Sequence, residues 1–239
     1  GYAVFYMMVN IGAFTGKTVV DPLRKSMGDQ GLIYINYFST IMTLLALVAV
    51  FFFYKSAKTD GQGKSFAEIG RGLLKVLGNA RLIILILITS GFWMIQSQMY
   101  ATMPKYVIRM IGAEASPGWY ANVNPLVVFV LVNFITSFMK KRTALTSMTI
   151  GMLIIPLSAL VMSFGTQIGT ENVMGLHPVA FMMIIGIAMQ AVAECFISPR
   201  FLEYFSLQSP KGEEGLYLGF SHLHSFVSYL FAFGLSGFL

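Results

Sequence analysis

Apolar positions in this chain fall in long unbroken runs, and the polar positions collect at the ends of those runs or in one-sided stripes within them. Seven runs have membrane-spanning length: Tyr2 to Val20, Leu32 to Tyr54, Leu82 to Met103, Trp119 to Met139, Ala144 to Phe164, Pro178 to Ser198 and Leu216 to Leu239. A helix needs about 20 apolar residues to cross a bilayer, and none of the runs alternates with the period of two that a barrel strand requires. The pattern predicts an all-α, multi-pass membrane protein. The first run is the least apolar, since it holds Lys17.

Within the sixth run, which is otherwise uncharged, stands a carboxylate, Glu194. A charge at the bilayer centre costs roughly 2.5–3.5 kcal/mol on insertion scales, so such a residue faces protein or water and marks function by default. Gln190 lies four residues before it and Ser198 four after, which puts all three on one helix face. Pro199 removes a backbone donor beside that stripe, as happens where a membrane helix lines a cavity.

Other runs carry stripes of the same kind. The second has Asn36, Ser39, Thr40 and Thr43; the third has Ser90, Trp93, Ser97 and Gln98; the fourth has Asn122, Asn133 and Ser137; the last has Ser221, His224, Ser225 and Ser228, with His222 turned away. Any one stripe serves equally well as hydrogen-bonding glue between helices. Their number, together with Glu194, favours a central cavity that satisfies them at once. His222 and His224 are candidates for proton relay, or equally structural histidines near a helix interface. Lys17 and Asp21, four apart, are placed to neutralise each other.

Composition agrees with the pattern. The chain is 56% hydrophobic and 11% charged, with 21 Phe and 16 Met, whereas a soluble domain carries about twice that charged fraction. The net charge of +6 has no soluble basic face to sit on, which argues against nucleic acid as a partner. Basic residues cluster instead in alternate connections: Lys55, Lys58, Lys64, Arg71, Lys75 and Arg81 in the second, Lys140 to Arg142 in the fourth, and Arg200 and Lys211 in the sixth. By the positive-inside rule these connections are cytoplasmic, in a protein of the cytoplasmic (inner) membrane. The single cysteine, Cys195, excludes an internal disulfide.

The 55–81 connection has Phe66, Ile69, Leu73, Val76 and Leu77 at helical spacing, which predicts an amphipathic helix on the membrane surface after a flexible TDGQGK linker. It divides the chain into residues 1–54, the 55–81 linker and residues 82–239. The odd number of runs and the abrupt ends suggest part of a longer polypeptide.

Motifs of other chemistries are missing from the sequence. It has no His-Glu-x-x-His, no cysteine pair and no glycine loop in a phosphate-cradling setting, so neither a metal nor a cofactor is expected. Ser198 and His224 lack an identifiable orienting acid or oxyanion site, which argues against an enzyme.

The stretch ECFISPRFLEYFSLQSPK (194–211) resembles the tenth helix and following loop of the proton-dependent oligopeptide transporters of the major facilitator superfamily. FYMMVNIGAF (5–14) resembles that family's fifth helix, GFWMIQSQMYATMP (91–104) its seventh, and YANVNPLVVFVL (120–131) its eighth. The order and spacing agree, so the chain is similar to helices five to eleven of a twelve-helix bundle. The resemblance implies an alternating-access symporter that moves protons with di- or tripeptides or similar small zwitterions. It implies that Glu194 meets the substrate's amino terminus and that Asn124 lies near its carboxylate end. Gln190, Ser198, Trp93, Ser97 and Gln98 complete the expected binding set, and Glu194, His224 and His222 are the expected proton carriers.

The departures are specific. Ser97 stands where the family's seventh helix usually carries an acid, followed by Gln98; Ser221 replaces the eleventh-helix tryptophan, and Ser228-Tyr229 its Gly-Asn pair. The family's first-helix Glu-x-x-Glu-Arg motif has no counterpart in this sequence. Two other readings follow: a facilitator carrier for drugs, amino acids or organic anions, or a transporter-derived subunit that serves as a scaffold in a larger membrane complex.

Overall fold

The computed structural model describes residues 2–54, 65–169 and 171–237. Lys55, Lys58 and Lys64, the TDGQGK linker and the last two residues of the seventh run lie outside the described residues. Eleven α-helices follow in order: α1 (Tyr2–Ser26), α2 (Gly31–Phe53), α3 (Phe66–Leu77), α4 (Ala80–Ala101), α5 (Met103–Ile111), α6 (Pro117–Ala121), α7 (Val123–Phe138), α8 (Ala144–Ser163), α9 (Pro178–Gln208), α10 (Glu214–Ser221) and α11 (Leu223–Ser236). Among the described residues no β-strand forms, and six helical segments are long and apolar enough to cross a membrane. The protein is a multi-pass helical membrane protein.

Three corrections to the seven-run reading have local causes. The fourth span remains one membrane-length segment but is interrupted at Asn122, between α6 and α7, because Pro125 offers no N–H to the carbonyl of residue 121 and its ring crowds that carbonyl. The seventh is divided at His222, so neither α10 nor α11 reaches spanning length alone. There the Ser221 hydroxyl donates to the Leu218 carbonyl at 2.7 Å and the His224 ring meets the Ser221 carbonyl at 2.6 Å. Side chains thus compete for the backbone acceptors a continuous helix would use. Conversely, α9 does not stop at Ser198 but continues past Pro199 to Gln208, carrying Arg200 into the helix rather than a loop. Arg200 is buried, donates to the Met139 carbonyl at 2.6 Å and pairs with Glu203 at 2.7 Å.

The helices around α9 form the centre of the bundle. Phe92, Met148, Ile197 and Phe205 belong to one buried cluster, Met99, Val107, Met183 and Ile187 to a second, and Val128, Val132, Ala191 and Cys195 to a third. Lipid is as apolar as these side chains, so helix association here rests on close packing and interhelical hydrogen bonds rather than on escape from water. Gly151 of α8 shows the packing: a Cβ there would lie 2.6 Å from the Ala193 carbonyl oxygen and 2.6 Å from Ile197 Cγ1. Gly186 of α9 is equally tight against Met162 and the Ser158 carbonyl. Gly151→Ala is therefore expected to lower stability by about 1–3 kcal/mol through forced separation of α8 and α9. Thermal unfolding in detergent checks this, with Gly91→Ala, whose Cβ meets nothing within 4 Å, as the neutral control.

The 66–77 helix forms as the periodicity predicts, started by a capping box in which the Ser65 hydroxyl and the Glu68 carboxylate satisfy each other's backbone amides. Its apolar stripe, however, is divided. Gly72 and Val76 are buried, with Leu216 and Phe220 of α10 packed on Gly72, while Phe66, Ile69 and Leu77 remain exposed. The helix therefore docks on the bundle as well as presenting an outward apolar face. The polar stripe of α2 lines no cavity among the described residues. Its positions are exposed, and Thr40 and Thr43 bond to their own helix at the Asn36 and Ser39 carbonyls, each at 2.9 Å.

Candidate functional site

Glu194 is buried and receives hydrogen bonds from three helices besides its own. The Tyr6 hydroxyl of α1 donates to Oε1, while Gln96 Nε2 of α4 and Asn124 Nδ2 of α7 donate to Oε2 at 2.7 and 2.9 Å. Local sequence explains each placement. Tyr6 lies in the apolar first half of α1, Gln96 in the second half of α4, and Asn124 in the first turn of α7 just before Pro125. All three donors are neutral, and no cation lies within ion-pair distance of Glu194 among the described residues. A carboxylate held this way keeps its hydrogen bonds but not a partner charge, and is ready for a proton or an ammonium group.

Of the residues expected at the site, Asn124 alone touches Glu194 directly. Gln190 shares the face of α9 but lines a separate, mostly apolar cavity with Gln98, Met99 and Met183, and its buried Oε1 makes no hydrogen bond. Gln98 turns to α11, donating to the Ala232 carbonyl at 3.1 Å, and Thr102 donates to its Oε1. Ser97 donates to the Trp93 carbonyl of its own helix at 2.6 Å. Asn133 and Ser137 are exposed, with Asn133 donating to Met7 Sδ at 3.0 Å.

Ser198, Trp93, His222 and His224 do come together. With Tyr6, Phe201, Ser225 and Tyr229 they line a cavity of about 250 Å3 that lies beyond Tyr6 from Glu194, toward the end of the bundle where α4 begins. Trp93 and Phe201 pack on the His224 ring at 5.6 and 4.9 Å between centroids. Both His224 nitrogens are engaged, Nδ1 with the Ser221 carbonyl at 2.6 Å and Nε2 with the Ser225 hydroxyl at 3.1 Å. The α4–α11 seam beside it is stitched by Ser228, which donates to the Ser90 carbonyl at 3.0 Å. There the stripes act as glue between helices.

At the opposite end, where α4 finishes, a second cleft of about 270 Å3 separates α1 from α4–α6. Lys17, Asp21, Arg24, Met99 and Tyr100 line it. Lys17 and Asp21 do not pair as their spacing predicts. The Lys17 ammonium donates to the Tyr100 hydroxyl at 2.8 Å, and Asp21 accepts from the Trp119 amide at 3.1 Å and approaches Arg24 at 3.6 Å. Arg24 and Lys25 reach the Ala115 and Glu114 carbonyls at 2.9 and 2.8 Å, and the Asn122 amide meets the Thr18 hydroxyl at 2.9 Å. The last turns of α1 are thereby pinned across the cleft.

Tyr6 and Gln96 are the residues at Glu194 that sequence reasoning missed. Gln96 falls outside the Ser90–Trp93–Ser97 stripe, and a lone tyrosine in an apolar run carries no signal until its partner is known. The polar fourth-span position nearest Asn124, Asn122, contributes to the pin rather than to Glu194. No protein-family model, no characterised protein and no solved structure matches this chain. Fold and site together define a multi-pass helical membrane protein with a buried carboxylate that accepts hydrogen bonds from three neighbouring helices.

Proposed function

We propose that this chain belongs to a secondary transporter of the major facilitator type, which moves small peptide-like zwitterions together with protons across the cytoplasmic membrane by alternating access. The observation that carries the reading is the position of Glu194. Four helices meet on its buried carboxylate, and its donor Tyr6 also lines the His224 cavity. An acid that can exchange its neutral donors for a proton or a substrate ammonium, and that opens to one cleft at a time, couples ligand binding to rearrangement of α1 against α4, α7 and α9.

Purified protein in liposomes is expected to accumulate a labelled dipeptide when the exterior is made acidic, and to lose that accumulation when an uncoupler is added. Accumulation of other solutes but of no peptide would favour a facilitator carrier of different specificity. The absence of an acid in α4, where Ser97 is turned back onto its own helix, is the feature that favours this second reading. Fixed-stoichiometry copurification with other membrane proteins and no uptake of any solute would favour a scaffold subunit.

A further inference from the structure

A cavity of about 560 Å3 lies between α4, α5, α8 and α9, toward the end of the bundle where α4 finishes. Met99, Met103, Met162, Met183 and Ile187 make most of its wall apolar. Its volume falls in the range of about 300–1,000 Å3 that encloses drug-sized molecules. Methionine is unbranched and polarizable, so a wall built from it reshapes around rings of different outline. Ala159 and Ser163 of α8 stand at the exposed edge of the cavity, and Leu157 and Leu160 of the same helix are exposed as well. On a helix of spanning length, exposed leucines face lipid. Molecules that dissolve in the bilayer can therefore enter from that side.

The wall also holds a buried acceptor in need of a donor. Gln190 is 3% exposed, and its Oε1 has no hydrogen-bond partner. Gln98, Thr102 and Ser163 are engaged within the protein: Gln98 donates to the Ala232 carbonyl at 3.1 Å and accepts from Thr102, and Ser163 donates to the Leu160 carbonyl at 2.6 Å. A buried acceptor without a partner costs free energy that a bound N–H or O–H would recover. Water is a poor occupant, since it needs about two to four polar partners and this wall is mostly methionine and aliphatic carbon. A lipid tail suits the apolar wall but brings no donor, and it would leave Gln190 as it is.

We infer that this cavity binds an apolar, ring-bearing small molecule with one N–H or O–H group, taken from the bilayer, and that this group donates to Gln190 Oε1. Gln190 selects for the donor, while the methionines accept the rest of the molecule with little regard to its outline. The site is separate from the Glu194 carboxylate, whose donors are Tyr6, Gln96 and Asn124. It stands whether or not the chain moves zwitterions.

The test uses N-phenyl-1-naphthylamine, which carries one N–H, and 1-phenoxynaphthalene, in which an ether oxygen replaces that N–H at nearly the same shape. Dissociation constants are taken from the rise in the full chain's melting temperature in detergent as each compound is added. The amine is expected to bind wild-type protein at least about fivefold more tightly than the ether. Gln190→Leu removes the acceptor and keeps an apolar wall, so it should fold at least as stably as wild type and bring the two compounds within about twofold of each other. Ala159→Phe, at the exposed edge, should weaken both. Equal binding of amine and ether by wild-type protein marks the cavity as a groove for lipid tails or another helix, and overturns the inference. So does a melting temperature that neither compound raises, and neither result depends on a variant that folds. A preference that survives in folded Gln190→Leu, or unchanged binding of both compounds by folded Ala159→Phe, places the ligand outside this cavity and overturns the inference as well.

Discussion

Glu194→Gln is expected to abolish gradient-driven uptake while leaving the fold almost intact, and Glu194→Ala to damage both. Glutamine keeps an oxygen for Gln96 and Asn124 and turns its amide toward the Tyr6 hydroxyl, which can accept. Because each of the three partners keeps a hydrogen bond and only its charge assistance is lost, the loss in stability should stay near about 1 kcal/mol. What is lost is the charge: no proton is taken up and no ammonium is paired, so uptake should fall by at least about tenfold, the worth of one charge-assisted bond. Alanine leaves the Tyr6 hydroxyl and the Gln96 and Asn124 amides without an acceptor in a buried site, at about 1–3 kcal/mol for each group left unpaired. Thermal unfolding in detergent should separate the two variants clearly, while liposome uptake should not. A Glu194→Gln protein with wild-type accumulation would remove the carboxylate from the mechanism.

The second large effect is expected at Asp21, the buried acid near the end of α1. Asp21→Ala removes the acceptor of the Trp119 amide and the carboxylate beside Arg24. Arg24 is partly exposed and water screens much of its loss, so the main cost is the stranded amide and the loosened helix, together about 2 kcal/mol. Gly118→Ala should act in the same direction by another route, since a Cβ there would lie 2.7 Å from Asp21 Oδ2. Both variants should increase hydrogen exchange at residues 14–26 while leaving α8 and α9 protected. In a transporter, α1 freed at this end also shifts the balance between cleft-open and cleft-closed forms. Exchange at α1 unchanged in both variants would show that the Asp21 contact does not hold the helix.

The two effects differ because the two acids are held differently. Asp21 bridges a backbone amide and a cation at one end of α1, so it acts as a fastener. Glu194 is surrounded by neutral side chains from three other helices, so its removal as an acid can be made without removing its hydrogen bonds.

Some of this is legible in the linear chain. Run length and the rarity of charge establish a multi-pass helical membrane protein, because lipid leaves the backbone no other way to satisfy itself. Glu194 is identified as the focus of the site for the same reason, and the capping box at Ser65 marks the start of α3 through local chemistry alone. The family resemblance singles out Asn124 but sets it near the substrate's carboxylate end, whereas in the structure it donates to Glu194 itself. The partners of Glu194 are another matter. Periodicity reports which residues share a helix face, not which helices meet, so Gln190 and Ser198 were natural companions on α9, yet the donors arrive from α1, α4 and α7. In the same way Lys17 and Asp21, neighbours on one helix, each find a better partner across the cleft, Lys17 on Tyr100 and Asp21 on Trp119. Hydrophobic pattern determines that the helices form and enter the membrane. Their mutual arrangement, and with it the set of donors that meets Glu194, is decided only by tertiary packing, where contacts such as Gly151 on Ala193 set how closely two helices approach.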